Sequence, residues 1–456
     1  MNVSRRFFIK NGGLAIASVG LAPVLGPAFL RQTVFGADPT SQQKKKTLIC
    51  CFQRGAADGL SIVVPHGDPD LYKLRSEIAI PRPMAGKKDT TALDLDGFFG
   101  LHPAMEAFLP IYKSGHLAVV HAAGSPDATR SHFDAQDYME SGAPGNKSVA
   151  DGWMSRAVLA CPEDRVKIAS ASPFRAIALG GGMPRSLQGD AGALAIPDLR
   201  SFGIADGGGG GGKKAKRPNR GDDVMAAAAM AATRPATVAT GFETLYDDAV
   251  GDVLHGTGKE SFEAIKTLRQ INPGTYVPAN GAQYPTTGFG RSLQQIAQLI
   301  KSDVGVEVAF AEMGGWDTHV NQGAAQGQLA QRLGEFSKGI AALYQDLGDR
   351  MSDVVILTMS EFGRTARQNG NAGTDHGHAT CFFALGGDIN GGKVHGKWPG
   401  LAPEQLNENR DLALTTDFRA VFGEVALRHL GAQGLQRVFP GYTGSAADFR
   451  GIVKAA

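Results

Sequence analysis

An α/β fold, with a mostly parallel sheet sandwiched by helices, is predicted by three features of this 456-residue sequence. Continuous apolar runs of strand length recur, amphipathic stretches of helical period lie between them, and glycine-containing loops join the two. A strand that is apolar along its whole length is buried on both faces, which is the situation of a parallel sheet with helices above and below. A hydrophobic share of 43% over so long a chain suffices for a large core, in one domain or in one domain plus an insertion.

In chain order, TLICCF (47–52) reads as the first strand, followed by the loop RGAADG and a second apolar run, SIVVP. HPAMEAFLPIYKSG (102–115) reads as helix, LAVVH (117–121) as strand, 131–140 as helix and RAIAL (175–179) as strand. A helix over 291–301 precedes the strand VEVAF (306–310), and a long helix over 326–347 precedes VVILT (354–358) and CFFAL (381–385). A closing helix covers about 416–429. Between 205 and 235 the pattern breaks: six glycines, Gly207 to Gly212, run into Lys213, Lys214, Lys216, Arg217 and Arg220. No strand leads tightly into these glycines and no Gly-Lys-Ser or Gly-Lys-Thr closes them, so they read as a flexible surface insertion rather than a phosphate cradle.

In an open α/β sheet, ligands belong at the carboxyl ends of strands. GTDHGH (373–378) sets Asp375, His376 and His378 within four positions of a glycine-bounded loop, and GGWDTH (314–319) carries Asp317 and His319 just past VEVAF. Imidazole and carboxylate are the side chains that hold zinc and similar divalent ions, so the two clusters predict one shared metal site. Asp317 and His319, two apart on an extended segment, project to the same side and can converge on one ion. Trp316 is expected to pack against the site wall, His102 to cap the helix that follows it, and His395 is a remote ligand candidate.

Ser4-Arg5-Arg6-Phe7-Phe8-Ile9-Lys10 matches the twin-arginine export pattern, and an apolar stretch from Gly12 to Ala28 follows, interrupted by Pro23, Gly26 and Pro27. Cleavage is expected near Gly36, leaving an α/β domain over 44–456 in the periplasm or outside the cell, with the export machinery as partner and no stable membrane span. Removing 1–36 takes away Arg5, Arg6, Lys10 and Arg31 and no acid, leaving 42 basic against 44 acidic residues. That balance is not the one nucleic-acid binding requires. Of the four cysteines, Cys50, Cys51, Cys161 and Cys381, all but Cys161 lie in apolar strand-like runs; they read as buried thiols, although an oxidising destination permits one bridge.

Over nearly its whole mature length the chain resembles the exported bacterial domain-of-unknown-function 1501 family, on RGAADGLSIVVPHGD, TRSHFDAQDYMESG, GGWDTH, SEFGRT and GTDHGHAT. That family in turn resembles the alkaline phosphatase superfamily, including the sulfatases. The resemblance implies an alkaline-phosphatase-like α/β sandwich and hydrolysis of a phosphate or sulfate ester through a covalent Ser or Thr intermediate. It also implies one or two divalent ions, zinc first, with calcium or manganese as alternatives. It gives Asp58 the part of first aspartate ligand, against the plain reading of Asp58-Gly59 as a turn. Ser131 becomes the nucleophile, with Thr129 as second candidate, against an N-cap completed by Asp134. Arg130 or His132 would steady a phosphoryl or sulfuryl oxygen, and Arg364 reads as an anion clamp or a surface ion pair.

SEFGRT departs from the superfamily pattern, because it aligns Glu361 with an aspartate ligand but Phe362 with a histidine ligand. Either the second metal site is reduced, or His376 or His378 supplies the missing imidazole; a competing alignment makes Asp375-His376-Gly377 itself the family's Asp-His-Gly. The ligand set is then Asp58, Asp317, His319, Glu361, Asp375, His376 and His378. The alternative function is a non-catalytic exported protein that keeps the fold, and a structural metal, to bind a polysaccharide or a partner.

Overall fold

The computed structural model describes residues 46–162, 172–199, 264, 267, 271 and 273–455. The expected export segment (1–36) and most of the basic, glycine-rich stretch, including all of 205–235, lie outside them. Nine strands form the main sheet: β1 (Thr47–Gln53), β2 (Leu117–Gly124), β3 (Ala176–Leu179), β4 (Leu194–Ile196), β5 (Val308–Met313), β6 (Val354–Met359), β7 (Thr380–Gly386), β8 (Lys393–His395) and β9 (Thr416–Asp417). Their order is β8-β2-β7-β6-β1-β5-β3-β4, with β9 paired to β2.

The sheet is mixed, with one strand running against the others. β1 runs parallel to β5 and β6, β3 to β5 and β4, and β2 to β8 and β9, whereas β7 is antiparallel to both its neighbours, β2 and β6. Every residue of β7 is buried. An uninterrupted apolar run reports burial on both faces, and an interior strand is buried whichever way it points. The reversal has a consequence for the site: β1, β2, β5 and β6 bring their carboxyl ends, and β7 its amino end, to one rim.

The principal helices are α1 (His132–Ser141), α2 (Trp153–Leu159), α3 (Gly288–Lys301), α4 (Gln328–Leu347) and α5 (Phe418–Arg428). On one face of the sheet Leu293 and Ile296 of α3 meet Leu333, Phe336 and Ile340 of α4; on the other, Trp153 of α2 meets Phe418 and Phe422 of α5. Cys50 falls in the second core and Cys51 in the first, because successive strand residues point to opposite faces. Cys50, Cys51 and Cys381 are all buried thiols. Among the described residues, no helix is long and apolar enough to cross a membrane.

Two stretches differ from expectation. HPAMEAFLPIYKSG splits into a 3-10 helix, Pro103–Phe108, and a short α-helix, Leu109–Lys113, where Pro110 has no N–H to continue the hydrogen bonding. SIVVP contributes only Val63–Val64 as strand, paired with Gly100–Leu101 in a separate three-stranded sheet.

His102 caps the 3-10 helix as expected, its Nδ1 accepting from the Ala104 N–H at 3.0 Å while Nε2 donates to the Ala324 carbonyl at 2.9 Å. His121 is held the same way, between the Ala122 N–H (2.8 Å) and the Val63 carbonyl (2.9 Å). Each ring is buried with one nitrogen donating and the other accepting, so protonation would break a hydrogen bond and bury a charge. Burial pushes both rings down from 6.5 to about 4. The unfolded chain therefore takes up protons below pH 6.5 that the fold refuses. The cost is absent above pH 6.5, grows as pH falls, and is complete below about 4, reaching about 3 kcal/mol per ring. Urea unfolding at pH 7 and pH 5 checks this: His121→Gln should flatten the fall, and an unchanged pH profile in that variant would rule the mechanism out.

Candidate metal centre

Three loops on the common rim supply the site. The loop after β2 ends at Ser131, whose hydroxyl accepts from the Asp134 N–H (3.4 Å) and caps α1, placing His132 in the first turn. The loop after β5 carries Asp317 and His319, and the loop between β6 and β7 carries Glu361, Phe362 and Arg364 at its start and Asp375 and His376 in its last segment, which enters β7. Two glycines let the last segment lie against the others. A Cβ at Gly373 would stand 2.2 Å from the His319 carbonyl oxygen, and one at Gly377 would stand 2.3 Å from the Arg364 carbonyl carbon.

His132, Asp317 and His376 offer ligand atoms that all lie within 4.8 Å of one another. The three separations are 3.0 Å between the His132 and His376 Nε2 atoms, 3.4 Å from His376 Nε2 to Asp317 Oδ1, and 3.7 Å from His132 Nε2 to Asp317 Oδ1. A tetrahedral ion with arms of about 2.0–2.1 Å sets its ligand atoms roughly 3.3 Å apart, inside that range. His319 joins as a fourth group, its Nε2 3.0 Å from that of His376 and 2.9 Å from Asp317 Oδ1.

The outer nitrogen of each imidazole is tied to an acceptor. His132 Nδ1 donates to Glu361 Oε1 (2.8 Å), His319 Nδ1 to Asp375 Oδ1 (3.1 Å) and His376 Nδ1 to the Arg130 carbonyl (2.8 Å). With the proton on Nδ1, each neutral ring turns a bare Nε2 lone pair inward, the tautomer a metal ligand needs. Lone pairs facing one another at 3.0 Å repel unless a proton or a cation lies among them, and a divalent ion relieves all these contacts together. The donor set therefore fits a metal. Nitrogen-rich ligation suits zinc better than manganese or calcium, which favour oxygen ligands.

Electrostatics favour the same state. Burial works against an ionised Asp317, yet the Arg364 hydrogen bond and charge, with His319 and His132, hold its carboxyl below the ordinary range. Glu361 is likewise held low against burial by His132, Gln136 and backbone N–H groups, and Asp375 chiefly by Asn369. The Glu361 hydrogen bond raises His132, whereas burial lowers His376.

Other predicted site residues stand elsewhere. Asp58 is fully buried and both its oxygens are taken by Arg75 (2.6 and 2.9 Å), with Gln322 Nε2 adding a third bond at 2.7 Å. Its carboxylate is spent on an ion pair rather than turned to the imidazoles, and Arg75 and Gln322 carried no motif that could have announced this. Glu361 and Asp375 orient imidazoles from behind instead of joining the inner set. Glu361 Oε1 also accepts from the Gly55 N–H (2.8 Å) and Gln136 Nε2 (2.9 Å).

His378 makes no hydrogen bond to the cluster and sits beside Asp411 and Arg130, where burial lowers its pKa. Arg364, 1% exposed, is neither anion clamp nor surface ion pair: Nε donates to the Ala56 carbonyl (2.8 Å), Nη1 to Thr374 (3.2 Å) and Nη2 to Asp317 Oδ1 (2.6 Å) and the Gly55 carbonyl. It ties together the loops after β1 and β5 and the two ends of the loop between β6 and β7. Ser131 acts as a cap and Thr129 Oγ1 accepts from the Ser131 N–H (3.3 Å), so neither hydroxyl bonds to the imidazoles.

His132 proves to face the ligand set, a role the sequence had only beside an oxygen of the substrate. Phe362 lies under it, stacked on His132 at 5.0 Å and 5.2 Å from the His376 ring, so the departure from the superfamily pattern supplies the apolar floor of the centre. Trp316 is buried on Phe336 in the core below the loop, and His395 is held between the Arg450 and Asn390 carbonyls.

Residues 269–439 match the model of a family described as a protein of unknown function, DUF1501. The match supports the family resemblance and spans the loops bearing Asp317, His319, Glu361, Asp375 and His376, but not α1 with His132. No curated protein matches the chain.

Proposed function

We propose that this protein is an exported, metal-dependent hydrolase of phosphate or sulfate esters. The observation that carries the reading is the tripod of His132, Asp317 and His376, with both rings held by their Nδ1 protons so that Nε2 points inward. A divalent ion held there would polarise an ester oxygen and favour the ionised form of a nearby hydroxyl or water. The chain's own residues do the rest. Glu361 and the Arg130 carbonyl fix the rings, Arg364 fixes Asp317, and the partly exposed guanidinium groups of Arg130 and Arg410 add positive charge beside His376. Ser131 directly precedes His132 and is the candidate for a covalent route.

The non-catalytic alternative draws on the capping bond of Ser131, which commits that hydroxyl to α1. Elemental analysis of the protein from residue 37 onward, paired with chromogenic phosphate and sulfate mono- and diesters, separates the readings. The hydrolase binds zinc or manganese and turns over one ester class, with activity lost to a chelator and restored by metal. Bound metal without turnover of either class leaves the binding protein, and wild-type turnover by Ser131→Ala and Thr129→Ala removes the covalent step.

A further inference from the structure

Behind His376 stands a buried carboxylate that no sequence motif announced. Asp411 is 0% exposed and its Oδ2 binds two arginines, Arg130 Nη2 at 2.7 Å and Arg410 Nη1 at 3.3 Å. Each arginine also reaches His376. The Arg130 carbonyl accepts the His376 Nδ1 proton at 2.8 Å, and Arg410 Nη2 donates to the His376 backbone carbonyl at 2.9 Å. Asp411 is itself pinned by its backbone, which accepts from the Asn407 N–H (2.9 Å) and donates to the Asn407 carbonyl (3.0 Å).

We propose that Asp411 is a positioning residue for the metal centre, gripping His376 at ring and backbone through Arg130 and Arg410. The inference rests on the reading of His376 as a ligand. His132 and His319 are oriented directly by side-chain carboxylates, Glu361 and Asp375. His376 has only a main-chain carbonyl at its Nδ1, and a carbonyl in the loop between β2 and α1 is only as well placed as the loop. Asp411 supplies that placement, because one anion neutralises both guanidinium groups and spans the segments that bear them. Glu408 also pairs with Arg130 (2.7 Å), but its side chain is 59% exposed and the bond is correspondingly weak. Outer partners of this kind typically set metal affinity by about 10–100-fold.

The test uses Asp411→Asn and Arg410→Ala in the full mature chain, with two readouts. Zinc affinity should fall about 10–100-fold in Asp411→Asn and by a smaller factor in Arg410→Ala, whose partly exposed side chain is the less disruptive one to remove because Arg130 still pairs with Asp411. Long-range proton–nitrogen correlation spectra of the metal-free protein should show His376 as the Nδ1–H tautomer in wild type and a mixture of tautomers in both variants. Wild-type zinc affinity together with an undisturbed His376 tautomer in both variants overturns the proposal, and Arg410→Ala alone decides it if Asp411→Asn fails to fold. A wild-type protein that binds no zinc, with a tautomer that still responds to Asp411→Asn, overturns the metal reading and leaves the positioning role standing.

Discussion

His376→Ala is expected to strip the purified protein of its metal and to abolish metal-dependent ester hydrolysis, the largest functional loss from any single side chain. Its Nε2 is the atom the others share, 3.0 Å from those of His132 and His319 and 3.4 Å from Asp317 Oδ1. Removing it leaves His132 and His319 linked through Asp317 Oδ1, at 3.7 and 2.9 Å, without the nitrogen that stands between them. Glu361→Gln makes the calibrating comparison: it keeps an oxygen acceptor behind His132 while discarding the charge, and should weaken zinc by the roughly 10–100-fold of an outer partner, short of the His376 loss. Competition titration against a chromophoric chelator measures both. Because His376 is only half-buried, the variant should fold, and wild-type metal content in it would place the centre elsewhere.

Arg75→Met is expected to produce the largest loss of stability, about 3–5 kcal/mol, with no change in metal content. Asp58 and Arg75 are each 0% exposed, and the methionine would leave a buried carboxylate with only Gln322 and a serine hydroxyl beside it. Burial alone would raise the Asp58 pKa, and the charge and hydrogen bond of Arg75 are what hold it below the ordinary value. The double variant Asp58→Asn, Arg75→Met should recover part of the loss, since the penalty lies in the unpaired charge rather than in the missing bond. Denaturant unfolding read beside metal content decides the role of Asp58: if Asp58→Asn empties the centre while Arg75→Met leaves stability intact, the aspartate is a ligand after all.

Much of the site was legible in the chain because its chemistry is concentrated in short motifs. Asp317 with His319, and His376, mark a candidate metal site by residue type and by the glycines that let their loops bend. The outer partners were not legible. Glu361 and Asp375 look like ligands in one dimension, since a carboxylate that grips a metal and one that grips the back of an imidazole are the same residue. Arg364 reads as a clamp for anions until its surroundings show its donors taken by backbone carbonyls, Asp317 and His319.

What the sequence determined by itself was the set of buried strands, the helices between them and the residue types assembled at one rim, because burial and ligand chemistry are written in side chains. Tertiary structure decided the direction of β7 and the division of the site into inner and outer groups. A strand apolar on both faces packs equally well either way up, and only its antiparallel pairing with β2 and β6 brings His376 to the rim where His132 and Asp317 already stand. Likewise Asp58 lies in a loop at the right end of the right strand, yet whether it meets a cation or a guanidinium depends on Arg75, a residue 17 positions away that no local pattern connects to it.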